Sequence, residues 1–155
     1  MSELRYYEEI AVGVPVEAGP KLVERDEVIA FARAYDPQAF HLDDAAAAKT
    51  HFGRLVASGW HTCGMMMRLF VDSVLNRVAL IAGGELDELR WRRPVYPGDS
   101  LTGRFTVTDK RRSASRPEMG LISVLSEGFN QHGELVISHR TTIAVHVRHP
   151  DRRPD

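Results

Sequence analysis

The spacing of apolar residues divides the chain into a helical first half and a strand-rich second half. Residues 5–23 contain two glycines and two prolines, which predicts an irregular lead-in with one short strand. Apolar residues then recur at helical spacing from Val28 to Tyr35, which predicts an amphipathic helix. Asp26 is its predicted N-cap or first-turn acid, and Pro37 ends it.

Two further helices are predicted between residues 43 and 75. The run from Asp43 to Lys49 has acids first, alanines in the middle and a lysine last, an order that suits the helix dipole. From Trp60 to Leu75, apolar side chains cover most of the helix circumference, so this helix is expected inside the domain. Ser58 is its predicted N-cap.

The second half predicts strands joined by short turns. The expected strands are Leu86 to Trp91, Leu101 to Val107, Leu121 to Phe129 and Val136 to Val147. Helices followed by a run of strands predict an α+β fold in which an antiparallel sheet wraps around the central buried helix. Such a sheet leaves an exposed edge that a homodimer, or an assembly of dimers, satisfies by strand pairing.

Composition narrows the class of protein. The 155 residues fit one domain, predicted over residues 1–150, with 151–155 as a charged, frayed tail. A net charge of -1 excludes a nucleic-acid footprint, and the single Cys63 excludes an internal disulfide and a Cys-rich metal cluster. With no apolar N-terminal stretch and no membrane-length apolar segment, a cytoplasmic protein without a membrane partner is expected.

The most informative chemistry lies in the segment Tyr35-Asp36-Pro37-Gln38-Ala39-Phe40-His41. A helix would turn residues five apart to different angles, whereas a proline-bearing loop can fold back and bring a carboxylate and an imidazole together. An Asp and a His converging on one cleft can move protons and activate water near neutral pH. The alternative is that Asp36 caps a turn and His41 is an ordinary surface histidine.

The other reactive side chains favour plainer roles. Cys63 lies among apolar residues, so an inert thiol is expected rather than a nucleophile. His41, His51 and His61 are spaced ten apart, which matches no compact zinc motif, and no metal is predicted. The Arg90, Arg92 and Arg93 cluster is typical of a solvated strand edge, although arginine also suits phosphate recognition.

Three segments together resemble the MaoC-like (R)-specific enoyl-CoA hydratase/dehydratase family of the hotdog fold. The segment Asp36 to His41 resembles the family pattern Asp-x-Asn-Pro-(aliphatic)-His, with the Asp-to-His spacing kept. Val56-Ala57-Ser58-Gly59-Trp60 resembles the connector into the central helix, and Arg93-Pro94-Val95-Tyr96-Pro97-Gly98-Asp99 resembles a turn between sheet strands. Gln38, Ala39 and Phe40 depart from the pattern, and Gln38 is too long to make the same local turn contacts as Asn.

The resemblance implies a hydratase that needs no cofactor and acts on an acyl-CoA or acyl-carrier-protein thioester. Asp36 and His41 would hold a water between them, and the amide of Gly59 would stabilise the thioester oxygen. Phe40, Ser58, Trp60 and Arg93 are the expected substrate-binding residues. Two rival hypotheses remain: a hotdog acyl-CoA thioesterase, and a non-catalytic protein that binds acyl thioesters.

Overall fold

A five-stranded antiparallel sheet packed against one long helix forms the protein, in a computed structural model that describes residues 3–152. The strands are β1 (Val16–Leu22), β2 (Leu80–Trp91), β3 (Ser100–Arg112), β4 (Met119–Phe129) and β5 (Leu135–His146). The helices are α1 (Arg25–Tyr35), α2 (Asp44–Ala48) and α3 (Gly59–Ser73). The sheet order is β1-β3-β4-β5-β2, so the predicted α+β hotdog architecture is confirmed.

The core lies between α3 and the concave face of the sheet. Burial alternates residue by residue along the whole of β4 and the first half of β3, as expected for strands with one face inward. Met65, Met66, Leu69 and Phe70 of α3 pack into the same buried cluster as side chains from β3, β4 and β5. That cluster fixes α3 relative to the sheet.

Several element boundaries differ from those predicted. β2 begins at Leu80 rather than Leu86, because its first residues, rich in small side chains, lack the alternation that predicts a strand. Asp26 lies in the first turn of α1, and Glu24 occupies the N-cap position without a side-chain hydrogen bond. α3 ends at Ser73, and one of its faces, including Trp60 and Met67, is exposed in the single chain.

The strand β2 stands apart from the other strands in its exposure. It forms one edge of the sheet, pairs only with β5, and all but one of its twelve residues are exposed. Its exposed side chains include the large apolar residues Leu80, Ile81, Leu86 and Trp91. The other edge, β1, is shorter and pairs with β3.

The chain ends are tied to the domain as far as they are described. Arg148 bonds to Glu3 and Glu9 near the N-terminus. Arg112 donates to the carbonyl oxygens of Pro150 and Arg152, 3.1 and 3.0 Å away. Residues 153–155 of the predicted tail lie outside the described range. No helix among the described residues is long and apolar enough to cross a membrane.

Candidate active site

The segment after α1 folds back on itself and brings Asp36 and His41 together. Asp36 is the C-cap of α1, and its amide donates to the Ala32 carbonyl at 2.9 Å. Pro37 cannot continue a helix, and a 3₁₀ turn over Ala39–His41 follows. The His41 Nε2 atom consequently lies 3.3 Å from Oδ2 of Asp36.

His41 is a buried side chain with a fixed ring orientation. It is only 5% exposed, so the surface-histidine alternative is wrong. Its Nδ1 atom lies 2.7 Å from the Val56 carbonyl oxygen. Because a carbonyl oxygen only accepts hydrogen bonds, Nδ1 carries a hydrogen and donates it. Nε2 is then the ring nitrogen that faces Asp36.

Three polar groups surround the Asp36 carboxylate. The Ser58 hydroxyl donates to Oδ2 at 2.7 Å, and the Gln38 amide donates to Oδ1 at 2.7 Å. Burial acts to raise the pKa of Asp36, but hydrogen bonds from Ser58 and Gln38 and the charge of His41 bring it below its ordinary value. Asp36 is therefore ionised at neutral pH.

The N-terminus of α3 lies beside this pair. Ser58 is the N-cap, as predicted, and its hydroxyl accepts from the Trp60 amide at 3.3 Å. Gly59 opens the helix, so its amide has no acceptor within the helix itself. The Trp91 indole lies directly on Gly59, since a Cβ built on Gly59 would fall 2.6 Å from Trp91 Cε2. Trp91 Nε1 also donates to the Gly59 carbonyl at 2.9 Å.

These groups share a cavity of about 500 Å³, within the usual size of a small-molecule site. We call this candidate active site the catalytic cavity. Six of the seven predicted site residues line it: Asp36, Phe40, His41, Gly59, Trp60 and Arg93. The seventh, Ser58, is fully buried behind the cavity wall and donates a hydrogen bond to Asp36. Arg93 lies on the wall with its guanidinium paired to Glu134 at 2.9 Å.

The other candidate residues divide between this cavity and the opposite side of α3. His51 lines the catalytic cavity. His61 faces α1, where Nε2 lies 3.3 Å from Glu27 Oε1 and the ring stacks on Phe31. Burial raises the pKa of the Cys63 thiol, which agrees with the expected inert thiol. Among residues 3–152, no group of three or more His, Cys, Asp or Glu side chains is arranged to hold a metal ion.

Three groups that contribute to the site were not predicted from the sequence. Gln38 was expected to lose the contacts of the family Asn, yet its longer side chain reaches the Asp36 carboxylate. The Val56 carbonyl carried no signal, because any residue supplies one. Trp91 lies 32 positions from Gly59, and only the path of β2 brings the two together.

Comparison with known proteins gives a consistent result. The family model described as "MaoC like domain" matches residues 9–126. The uncharacterized protein YdeM of Bacillus subtilis (strain 168) is 32% identical over 138 residues, which cover 89% of this chain and 96% of YdeM. A MaoC-like dehydratase from Rhodospirillum rubrum superposes with a TM-score of 0.86 at 39% identity, covering 97% of this chain and 99% of the other.

The relatives include hydratases. The mesaconyl-CoA hydratase of Cereibacter sphaeroides is 32% identical over 118 residues, or 76% of this chain. The match covers only 29% of that hydratase, so this chain corresponds to less than a third of its length.

Proposed function

Because the chain belongs to the MaoC-like domain family, we propose that it adds water reversibly across the 2,3-double bond of an enoyl thioester. The observation that carries the proposal is the 3.3 Å approach of His41 Nε2 to Asp36 Oδ2. Both side chains line the catalytic cavity, and the first turn of α3 lines it as well. The substrate is an acyl-CoA or acyl-carrier-protein thioester, and the same residues catalyse the reverse dehydration.

The hydrogen bonds of the pair support a different role for each residue. Asp36 is ionised and accepts a proton, whereas His41 donates Nδ1–H to Val56 and presents Nε2 to the carboxylate. A carboxylate and a nitrogen lone pair would repel each other at this distance, so the pair holds a proton on Nε2. Asp36 is thus the base that takes a proton from water, and His41 is the acid that protonates the α-carbon.

The protons balance over one turnover. The water oxygen bonds to the β-carbon, one water proton passes to Asp36, and the Nε2 proton passes to the α-carbon. Asp36 Oδ2 then returns its proton to Nε2 of His41 across the 3.3 Å contact, which restores the starting pair. No other donor or acceptor is needed.

The amide of Gly59 supports the charge that develops on the thioester oxygen. It lies at the positive end of a fifteen-residue helix, where an anionic oxygen is favoured. One preorganised donor of this kind lowers a barrier by about 3–4 kcal/mol. Arg93, on the same cavity wall, would meet a phosphate of the carrier after exchanging its partner Glu134.

Hydration of crotonyl-CoA by wild type, Asp36→Asn and His41→Gln tests the assignment. Each variant should lose at least about 100-fold in kcat, the low end for a positioned acid or base. Asp26→Asn and His132→Gln make the same chemical changes at exposed positions outside the cavity and should keep full activity. Wild-type rates in Asp36→Asn or His41→Gln would refute the assignment of these two residues as the catalytic pair.

The same samples separate the rival functions. Release of free thiol from acyl-CoA without hydration would identify a thioesterase. Thermal stabilisation by acyl-CoA, with neither hydration nor thiol release, would identify a non-catalytic binder. The departures of Gln38, Ala39 and Phe40 from the family pattern are the reason for testing this function.

We also infer that the protein is a homodimer paired through β2. The inference is supported by the exposure of that edge strand and by the apolar side chains Leu80 and Ile81 on it. Sedimentation should give twice the mass of one chain, and a monomer at micromolar concentration would contradict it.

A further inference from the structure

A second cavity lies next to the catalytic cavity, on the other side of two tryptophans. Its volume is about 320 Å³ and its lining is mostly apolar. Trp60 lines both cavities. Below Trp60, one face of α3 continues into the second cavity through Cys63, Met66, Met67 and Phe70. Residues of β2, β3 and β5 complete the lining: Gly83, Gly84, Glu85, Leu86, Phe105, His139 and Thr141.

Trp91 holds a defined position at the junction of the two cavities. Its ring contacts Trp60 edge-on, with centroids 5.3 Å apart and planes at 83°. Its Nε1 bond to the Gly59 carbonyl and its close packing on Gly59 fix the indole over the first turn of α3. The ring also neighbours Cys63, which faces the second cavity. The indole therefore covers the route along α3 from one cavity to the other.

The proposed chemistry predicts how the acyl chain lies relative to the two tryptophans. For a thioester whose oxygen meets Gly59 and whose β-carbon meets Asp36 and His41, we place the anionic carrier beside Arg92 and Arg93, which line the same cavity. The rest of the acyl chain then extends away from those cations, and apolar carbons are favoured where the lining is apolar. Trp60, which lines both cavities, then stands between the acyl chain and the apolar lining of the second cavity.

Resting on the proposed function, we propose that Trp60 and Trp91 are specificity-determining residues that restrict this protein to short acyl chains. They close the acyl end of the catalytic cavity, so a four-carbon chain fits in front of them. A longer chain must displace Trp91 from Gly59 before it reaches the apolar space beyond. Removal of the Trp91 indole joins the two cavities and admits longer chains.

The test compares kcat/KM for crotonyl-CoA and trans-2-octenoyl-CoA in wild type, Trp91→Ala and Trp91→Phe. Wild type should prefer the four-carbon substrate. Each methylene that enters the opened space is worth about fourfold, from about 0.8 kcal/mol per buried CH₂, so Trp91→Ala should raise the octenoyl-to-crotonyl ratio at least tenfold. Trp91→Phe is the matched control, because it keeps a ring over Gly59 and should keep the short-chain preference.

Oligomeric state is compared for all three proteins, since Trp91 lies on the exposed strand β2. Equal wild-type rates with both substrates, or an unchanged ratio in Trp91→Ala, would overturn the inference and leave the hydratase proposal standing. If wild type hydrates neither substrate, the proposed function fails. The Kd ratio for butyryl-CoA and octanoyl-CoA, measured in the same proteins, then decides the chain-length inference without turnover.

Discussion

Replacing Ser58 with alanine removes a fully buried hydroxyl that makes two contacts at once. It donates to Asp36 Oδ2 at 2.7 Å and accepts from the Trp60 amide at 3.3 Å. A hydrogen bond to a charged group contributes about 1.5–3 kcal/mol, and an N-cap contributes about 1 kcal/mol. Because Asp36 retains some access to water, we expect Ser58→Ala to lower the free energy of unfolding by about 2–3 kcal/mol at pH 7.

Ser126 is the matched control for this change. Its side chain is also fully buried, but its hydroxyl has no hydrogen-bond partner within residues 3–152. Ser126→Ala therefore deletes the same atom without breaking a bond, and the free energy of unfolding should change by less than about 1 kcal/mol. Urea unfolding at one protein concentration measures both variants. Equal losses in the two would refute the reasoning.

The effect of Ser58→Ala should also depend on pH. The pKa of Asp36 is lower in the folded protein than in the unfolded chain, where it is about 3.9. Its contribution to stability is therefore complete above that value and is lost as the pH falls through the folded pKa. Ser58→Ala weakens the lowering, so the stability gap between variant and wild type should narrow below about pH 4. A gap that stays constant from pH 7 to pH 3 would show that Ser58 does not stabilise the carboxylate.

Three further predictions concern residues in or beside the helices that hold the site. Gln38→Ala removes a donor to the Asp36 carboxylate, so the acidic limb of the pH profile of kcat/KM should move to higher pH. Gly59→Ala should reduce hydration activity and change Trp91 fluorescence, because the new Cβ would clash with the indole. Gly64→Ala in the same helix is its control: its Cβ would contact no other atom, so this change should raise the free energy of unfolding by about 0.5–1 kcal/mol. Burial lowers the pKa of His61 below its value in the unfolded chain, so the free energy of unfolding should fall as the pH drops below about 6.5. In His61→Phe, the free energy of unfolding measured with urea should change less between about pH 7.5 and pH 5.5.

The sequence predicted the parts of the site that depend on local chain geometry. Pro37 between a carboxylate and an imidazole predicted a loop that folds back, and the two side chains meet in a cavity. The N-cap Ser58 was predicted because a serine before an apolar helical run has a local role. Its bond to Asp36 joins residues 22 apart and depends on how α1 lies against α3.

The parts that could not be predicted depend on strand length and register. β2 was expected to be half its observed length, because the run Leu80-Ile81-Ala82-Gly83-Gly84 has no alternation of apolar and polar residues. Its pairing with β5 has three register shifts, and these decide where Trp91 lies. No pattern within one strand indicates such shifts.

The sheet order has a consequence for how the protein is made. β2 is the second strand to leave the ribosome, but its one neighbour in the sheet, β5, is the last. Until synthesis reaches β5, a nascent chain carries β2 without a strand partner on either side, which is a hazard for misfolding. We expect chains that stop before Leu135 to be insoluble, and folding to await the final strand.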